Sequence, residues 1–248
     1  MVALLNAHPS VAITHEADLL WILYQWCRDV PFSSYPWDGP VGMAATLERF
    51  GEYIDFDTPQ HVRPERVSSM FLLLHSLLVR HGSAVQKPYP EKTAVLFRGD
   101  KKPVQHADPD LFDFGCEHLK PTRFLHLVRN PRMVVMSMMI AAGTWGRVPY
   151  WDSPIDELFD RWALHEERVL RIRAIGSPVL TVRWEDMCAS PREETTRVLE
   201  FLGLDQRGAV IENAFATTRL HTEKPGTVVR NRAVSDRVAR LMHLYGYE

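Results

Sequence analysis

The stretch FLHLVRNPRMVVMSMM, residues 124–139, gathers residue types suited to holding an anion. An apolar run ends at Val128, Arg129 stands at its tip, Asn130-Pro131 supplies a helix cap and a first-turn proline, and Ser137 follows two turns on. A helix start presents N–H groups and the positive end of its dipole, both of which suit a phosphate. The Arg129 guanidinium adds a fork of donors and the Ser137 hydroxyl adds another. The spacing points to an anion site. The plainer alternative is that Arg129 pairs with a structural carboxylate and Ser137 is an ordinary helix serine.

Short strands feeding helices must position these groups. Apolar runs at Ala94 to Phe97, Phe124 to Val128 and Val179 to Val182 have strand length. The second leads straight into Asn130-Pro131. The third leads through a short connection, Trp184-Glu185-Asp186, to Ser190-Pro191-Arg192-Glu193, a capping box whose helix ends at Gly203. Leu19 to Cys27 predicts a helix, and Ser153-Pro154 opens a long one to Gly176. Arg63-Pro64-Glu65 opens another, with a core stripe of Val67, Met70, Phe71, Leu74, Leu77 and Leu78. Strands alternating with amphipathic helices predict an α/β fold, a three-layer α/β/α sandwich around a parallel sheet, in a single domain over residues 1–248. Ligands of such sheets bind beyond the carboxyl ends of the strands, here the loops after Phe97, Val128 and Val182.

The bulk composition narrows the function. A formal net charge of −2 argues against a general nucleic-acid binder, so an anionic ligand needs a local cluster of cations. Cys27, Cys116 and Cys188 are odd in number and lack CxxC spacing, which predicts free thiols in a reducing compartment. The apolar run from Met133 to Ala142 is too short to span a membrane, and no export signal opens the chain, so a cytoplasmic protein is expected. His165 in HEER lacks the second histidine of a zinc motif, and no metal is expected.

The Arg129-Asn-Pro-Arg-x₄-Ser137 block, with VLTVRWEDMCASPREETTRVLEFLGL downstream, resembles the sulfotransferases that use 3′-phosphoadenosine 5′-phosphosulfate (PAPS), in their bacterial and tyrosylprotein-type branches. The resemblance implies a P-loop-NTPase-like sulfotransferase fold and PAPS as co-substrate, with Arg129 and Ser137 on the nucleotide 3′-phosphate. LLNAHPSVAITHE is similar to the helix and loop that follow the family's first glycine-rich loop, which implies Glu16 as the catalytic base. RGDKKPVQH resembles a Lys-x-Pro element whose lysine contacts the transferred sulfuryl group, which implies Lys101, with Lys102 as its neighbour. Trp184 replaces the family's tyrosine and is left to stack on adenine. Lys224, Arg230 and Arg232, in the basic segment TEKPGTVVRNR, resemble the segment with which the family often closes the 3′ end, although a solvated loop fits them equally.

The family's element of the type Pro-x-Ser-Gly-Thr-Thr, which binds the 5′-phosphosulfate, does not precede the first helix here. The expectation is therefore an N-terminally truncated domain missing its first strand and loop, able to hold the nucleotide by its 3′ end but slow in transfer. Its partner would be a small-molecule, carbohydrate or peptide acceptor, with no nucleic acid or membrane involved; oligomeric state is open. The aromatics Trp145, Tyr150 and Trp151 suggest an acceptor pocket, and Phe32 to Trp37 a lid. Two rival readings remain: a sulfotransferase-like interaction protein without activity, and a P-loop kinase, for which the Gly-Lys-Ser/Thr signature is missing.

Overall fold

The computed structural model describes residues 1–15, 17–33, 50–51, 54–55, 61–81, 95–101, 108–145, 152–206, 212 and 227–248. Glu16, Lys102, Lys224, Tyr150 and Trp151, with residues 34–37 of the expected lid, lie outside them. The chain divides into two compact units: Met1–Thr122 with Gln206–Thr218, and Arg123–Asp205 with Arg219–Glu248.

The first unit opens with α1 (Val2–Ala7), whose Leu4 and Leu5 are buried, and turns into a strand, β1 (Val11–His15). Asn6 fixes that turn: its side chain accepts from the Ile13 amide at 2.7 Å and donates to the Ile13 carbonyl at 2.9 Å. Sequence patterning did not mark β1, because its partner lies far along the chain. It pairs in parallel with β2 (Phe97–Lys101), in register from Val11 opposite Phe97 to His15 opposite Lys101. The expected strand at Ala94 to Phe97 therefore starts only where it was predicted to end and runs through Arg-Gly-Asp-Lys. Pairing with β1, rather than hydropathy, sets this register; every β2 residue is only half-buried, so polar side chains are tolerated.

Helix α2 (Leu19–Cys27) spans the predicted residues and buries Leu19, Ile22, Leu23 and Trp26. The Arg63-Pro64-Glu65 signal starts a 3₁₀ turn (Pro64–Arg66) that continues into α3 (Val67–His81). All six residues of the predicted stripe face the core: Val67, Leu74 and Leu78 are buried among α2 side chains, and Met70, Phe71 and Leu77 pack against them. Burying each such side chain contributes about 1.5–3 kcal/mol before entropy is counted. Helix α4 (Pro109–His118) is capped by Asp108, whose carboxylate accepts from the Leu111 amide.

The second unit repeats the parallel pairing. β3 (Phe124–Val128) runs beside β4 (Val179–Arg183), with Phe124 opposite Val179 and Val128 opposite Arg183. Between them come α5 (Pro131–Trp145) and α6 (Ile155–Ala174), and Gly176, at φ 81°, turns the chain out of α6. Trp184-Glu185-Asp186, expected as a connection, is the first turn of α7 (Trp184–Ala189). Ser190 does cap α8 (Pro191–Leu202), but its hydroxyl makes no cap hydrogen bond, so the predicted capping box does not form. The same residue ends α7, donating its amide to the Asp186 carbonyl at 2.8 Å, and its backbone is fixed by that task. Gly203 ends α8 in the left-handed conformation at φ 68°. A short α9 (Thr227–Arg230) and α10 (Asp236–Leu244) close the chain, and Val238, Leu241, Met242, Tyr245 and Tyr247 join Val128, Val135, Leu158 and Trp162 in this unit's core.

Candidate functional site

In the second unit the tips of β3 and β4 meet through one carboxylate. Glu185, on the first turn of α7, accepts the Asn130 amide at 2.9 Å and, through its other oxygen, the Tyr247 hydroxyl at 2.8 Å. Burial first, and then this carboxylate, push the Tyr247 phenol above its ordinary pKa of 10, so it remains a donor. The Arg183 guanidinium lies 4.7 Å from the Tyr247 ring centre. The residues flanking Arg129 are thus held from three directions of the fold.

Asn130 is the cap the sequence promised. Its side chain accepts from the Arg132 amide at 2.9 Å, and its carbonyl accepts from Met133 and Val134 at 2.9 and 3.1 Å. This corrects one expectation: with Pro131 lacking an N–H, the first-turn amides of α5 are already satisfied, and no backbone nest is left open for a phosphate. An anion at this tip would be met by side chains alone. The dipole remains, and α5 carries no acidic residue in its first turn, whereas α6, α7, α8 and α10 all do.

Arg129 sits among these groups with a side-chain donor left over among the described residues. Its Nε is buried and has no hydrogen-bond partner among the described residues. Glu185 accepts from Asn130 and Tyr247, and among the described residues no ion pair between it and Arg129 is seen. The charge of Arg129 is felt at Cys188 on α7, where it opposes the upward push of burial and Glu185 on the thiol. Ser137 is exposed on α5, seven residues past the cap, which is about 10 Å along the axis. Trp184 is half-buried at the start of α7.

Arg230 ends α9 and is exposed. Sequence reasoning missed what holds it: Arg132 Nη1 donates to the carbonyls of Val229 at 2.9 Å and Arg232 at 2.8 Å. Arg232 itself pairs with Asp156 at the start of α6, an interaction that holds the Asp156 carboxyl below its usual range. A second cation in the first turn of an acid-free helix was the one signal in the sequence that could have singled out Arg132.

The first unit holds the other candidates. Lys101 is the last residue of β2, not a loop residue, and is half-buried opposite His15. Beside it, Asp100 Oδ1 accepts from the Thr14 hydroxyl at 2.8 Å and the Ala17 amide at 3.2 Å, gathering chain on both sides of position 16. Asp18, buried at the cap of α2, adopts φ 56°, a left-handed conformation that a non-glycine residue takes at a cost. Among the described residues no group of His, Cys, Asp or Glu is arranged to hold a metal ion, and no helix is long and apolar enough to cross a membrane.

The sequence profile described as the sulfotransferase family matches residues 1–207 of this chain. The sulfotransferase domain from the Synechococcus PCC 7002 olefin synthase superposes with a TM-score of 0.64 at 17% identity, covering 99% of this chain and 89% of that one. The sulfotransferase domain from the curacin biosynthetic pathway gives a TM-score of 0.57 at 15% identity, covering 100% and 93%. No curated protein matches the sequence. The fold is therefore the α/β fold of these domains, with parallel strands as predicted.

Proposed function

The chain belongs to the sulfotransferase family, and from that premise we propose that it transfers a sulfuryl group from PAPS to a hydroxyl or amine acceptor. The observation that carries this reading is Arg129: a buried guanidinium Nε at a strand tip with no hydrogen-bond partner among the described residues, ahead of a helix start free of acids. Arg129 and Ser137 hold the 3′-phosphate, Arg230 and Lys224 close over it, and Trp184 stacks on the adenine. No metal is required, because side-chain cations take the charge.

In the transfer step the bond from sulfur to the bridging oxygen of PAPS breaks as the acceptor oxygen or nitrogen bonds to sulfur. The acceptor proton passes to a carboxylate, and 3′-phosphoadenosine 5′-phosphate (PAP) leaves. Positioning and charge dominate such a displacement, as in phosphoryl transfer. Glu16 as base contributes about 10²–10⁴-fold, and Lys101, stabilising charge on the sulfuryl oxygens, about 3 kcal/mol by analogy with an oxyanion donor. The acceptor is a small molecule, a carbohydrate or a peptide, and the compartment is cytoplasmic.

Calorimetric titration with PAP in the absence of magnesium, followed by turnover of labelled PAPS over an acceptor panel, tests the reading. Metal-independent PAP binding is expected. Binding of magnesium-ATP in preference to PAP would establish a kinase instead, and PAP binding with no turnover on any acceptor would leave a nucleotide-binding relative without transferase activity.

A further inference from the structure

Arg132 stands where a helix gains nothing from a cation. It lies in the first turn of α5, near the positive end of the dipole, three residues after another arginine. Its contacts explain its presence. Both hydrogens of its Nη1 go to main-chain oxygens, those of Val229 and Arg232, which bracket Arg230. The Val229 side chain is buried in the core of the same unit, and the Arg232 side chain is taken by Asp156. The 229–232 segment is therefore held at both ends, at Val229 and at Arg232. Between the anchored residues the side chains of Arg230 and Asn231 are left exposed, and Arg230 is the cation of the two, with no hydrogen-bond or ion-pair partner among the described residues.

We propose that Arg132 is a positioning residue, which clamps the 229–232 backbone to the start of α5 and so sets Arg230 on the nucleotide 3′-phosphate that Arg129 holds. The inference rests on the donor reading above. Arg132 need not touch the nucleotide itself, since Nη1 is committed to the two carbonyls.

A double-mutant cycle on nucleotide affinity separates these roles, with PAP as probe and adenosine 5′-monophosphate, which lacks the 3′-phosphate, as control. Arg132→Met and Arg230→Ala each lower PAP affinity roughly tenfold, the scale of one charge-assisted hydrogen bond, and leave the control unchanged. Because one residue acts through the other, the double variant falls no further than Arg230→Ala. Losses that multiply to about a hundredfold would show that Arg132 contacts the nucleotide directly and would overturn the clamp. Equal losses for PAP and the control, or none, would reduce Arg132 to a structural role and overturn it too.

If Arg132→Met does not fold, Arg132→Lys replaces it. The lysine keeps the charge but offers one mobile ammonium to two carbonyls, and a loss of about threefold confined to PAP is expected. No selective loss in that variant overturns the clamp. The donor reading fails separately, if the wild-type protein binds PAP no more tightly than the control. Amide exchange at residues 229–233 of the nucleotide-free protein then reads the clamp alone: faster exchange in the variant supports it, and unchanged exchange overturns it.

Discussion

At the carboxyl ends of β1 and β2 a carboxylate, Asp100, gathers the hydroxyl of Thr14 and the amide of Ala17; at the carboxyl end of β3 a guanidinium, Arg129, keeps a buried Nε with no partner among the described residues. Both ladders are pairs of five-residue strands paired in parallel. They differ in what their tips leave undone. Around Asp100 the polar groups answer one another, which makes a stiff corner. Around Arg129 the groups Glu185, Asn130 and Tyr247 satisfy one another, and the buried Nε atoms of Arg129 and, at the neighbouring tip, of Arg183 are left over. A buried donor without a partner costs about 1–3 kcal/mol, a cost that an incoming anion removes.

The largest effect should come from exchanging these characters. Arg129→Met lowers PAP affinity by about 3 kcal/mol, roughly a hundredfold, without lowering the melting temperature, because it deletes an unsatisfied donor instead of a bond. Asp100→Ala does the reverse: it strands Thr14 and Ala17, costs about 1–3 kcal/mol of stability, and leaves PAP affinity unchanged. Calorimetry with PAP and thermal melts of both variants check the pair. If Arg129→Met melts lower and still binds PAP, the guanidinium is a structural group and the contrast between the tips is lost.

A second contrast lies inside the units, and its His75 side responds to pH. His126 in the second unit sits 3.0 Å from the buried Glu166 carboxylate. His75 in the first is wholly buried on α3, and burial first, then the charge of Arg98, push its pKa down to about 4. An unfolded histidine titrates near 6.5, so as pH falls the unfolded chain takes up the proton first. The contribution of neutral His75 is intact above about pH 6.5 and is lost progressively toward about pH 4, on the order of 2 kcal/mol between pH 7 and pH 5. Urea unfolding at those two pH values should show the loss in wild type and a flatter response in His75→Leu. An equal slope in that variant would assign the pH dependence to other groups.

How much of this was legible in the sequence depended on how local the cause was. Helix α2 and the α3 stripe follow from i, i+3, i+4 spacing, and Asn130-Pro131 from cap chemistry that needs no distant partner. Strand β1 and the register of β2 were hidden, because each is defined by a partner more than 80 residues away. Arg129 and Ser137 stand out as candidates from residue type and spacing. The α5 amides are taken by the side chain and carbonyl of Asn130 itself, a local effect of the cap, whereas the Glu185 carboxylate that holds the Asn130 amide arrives from 55 residues downstream and was hidden. Arg132 was less visible still: its acceptors are main-chain oxygens, which leave no mark in a sequence.

The finest test of the contrast concerns Ser137, because it asks how far the unsatisfied tip extends along α5. Ser137 is exposed, and among the described residues its hydroxyl has no partner, so removing it should not destabilise the protein. Alanine also has the higher helix propensity, by a few tenths of a kcal/mol, so the melting temperature of Ser137→Ala should hold or rise slightly. A neutral hydroxyl donating to a phosphate contributes about 1 kcal/mol, so PAP affinity should fall about fivefold while adenosine 5′-monophosphate binding stays put. Ser137 is about 10 Å along the helix from the cap, so an affinity loss confined to PAP would mean that the Arg129 side chain reaches forward to meet the phosphate there. An unchanged affinity would confine the anion to the guanidinium end, and the hydroxyl would be what its exposure alone suggests, a helix surface serine.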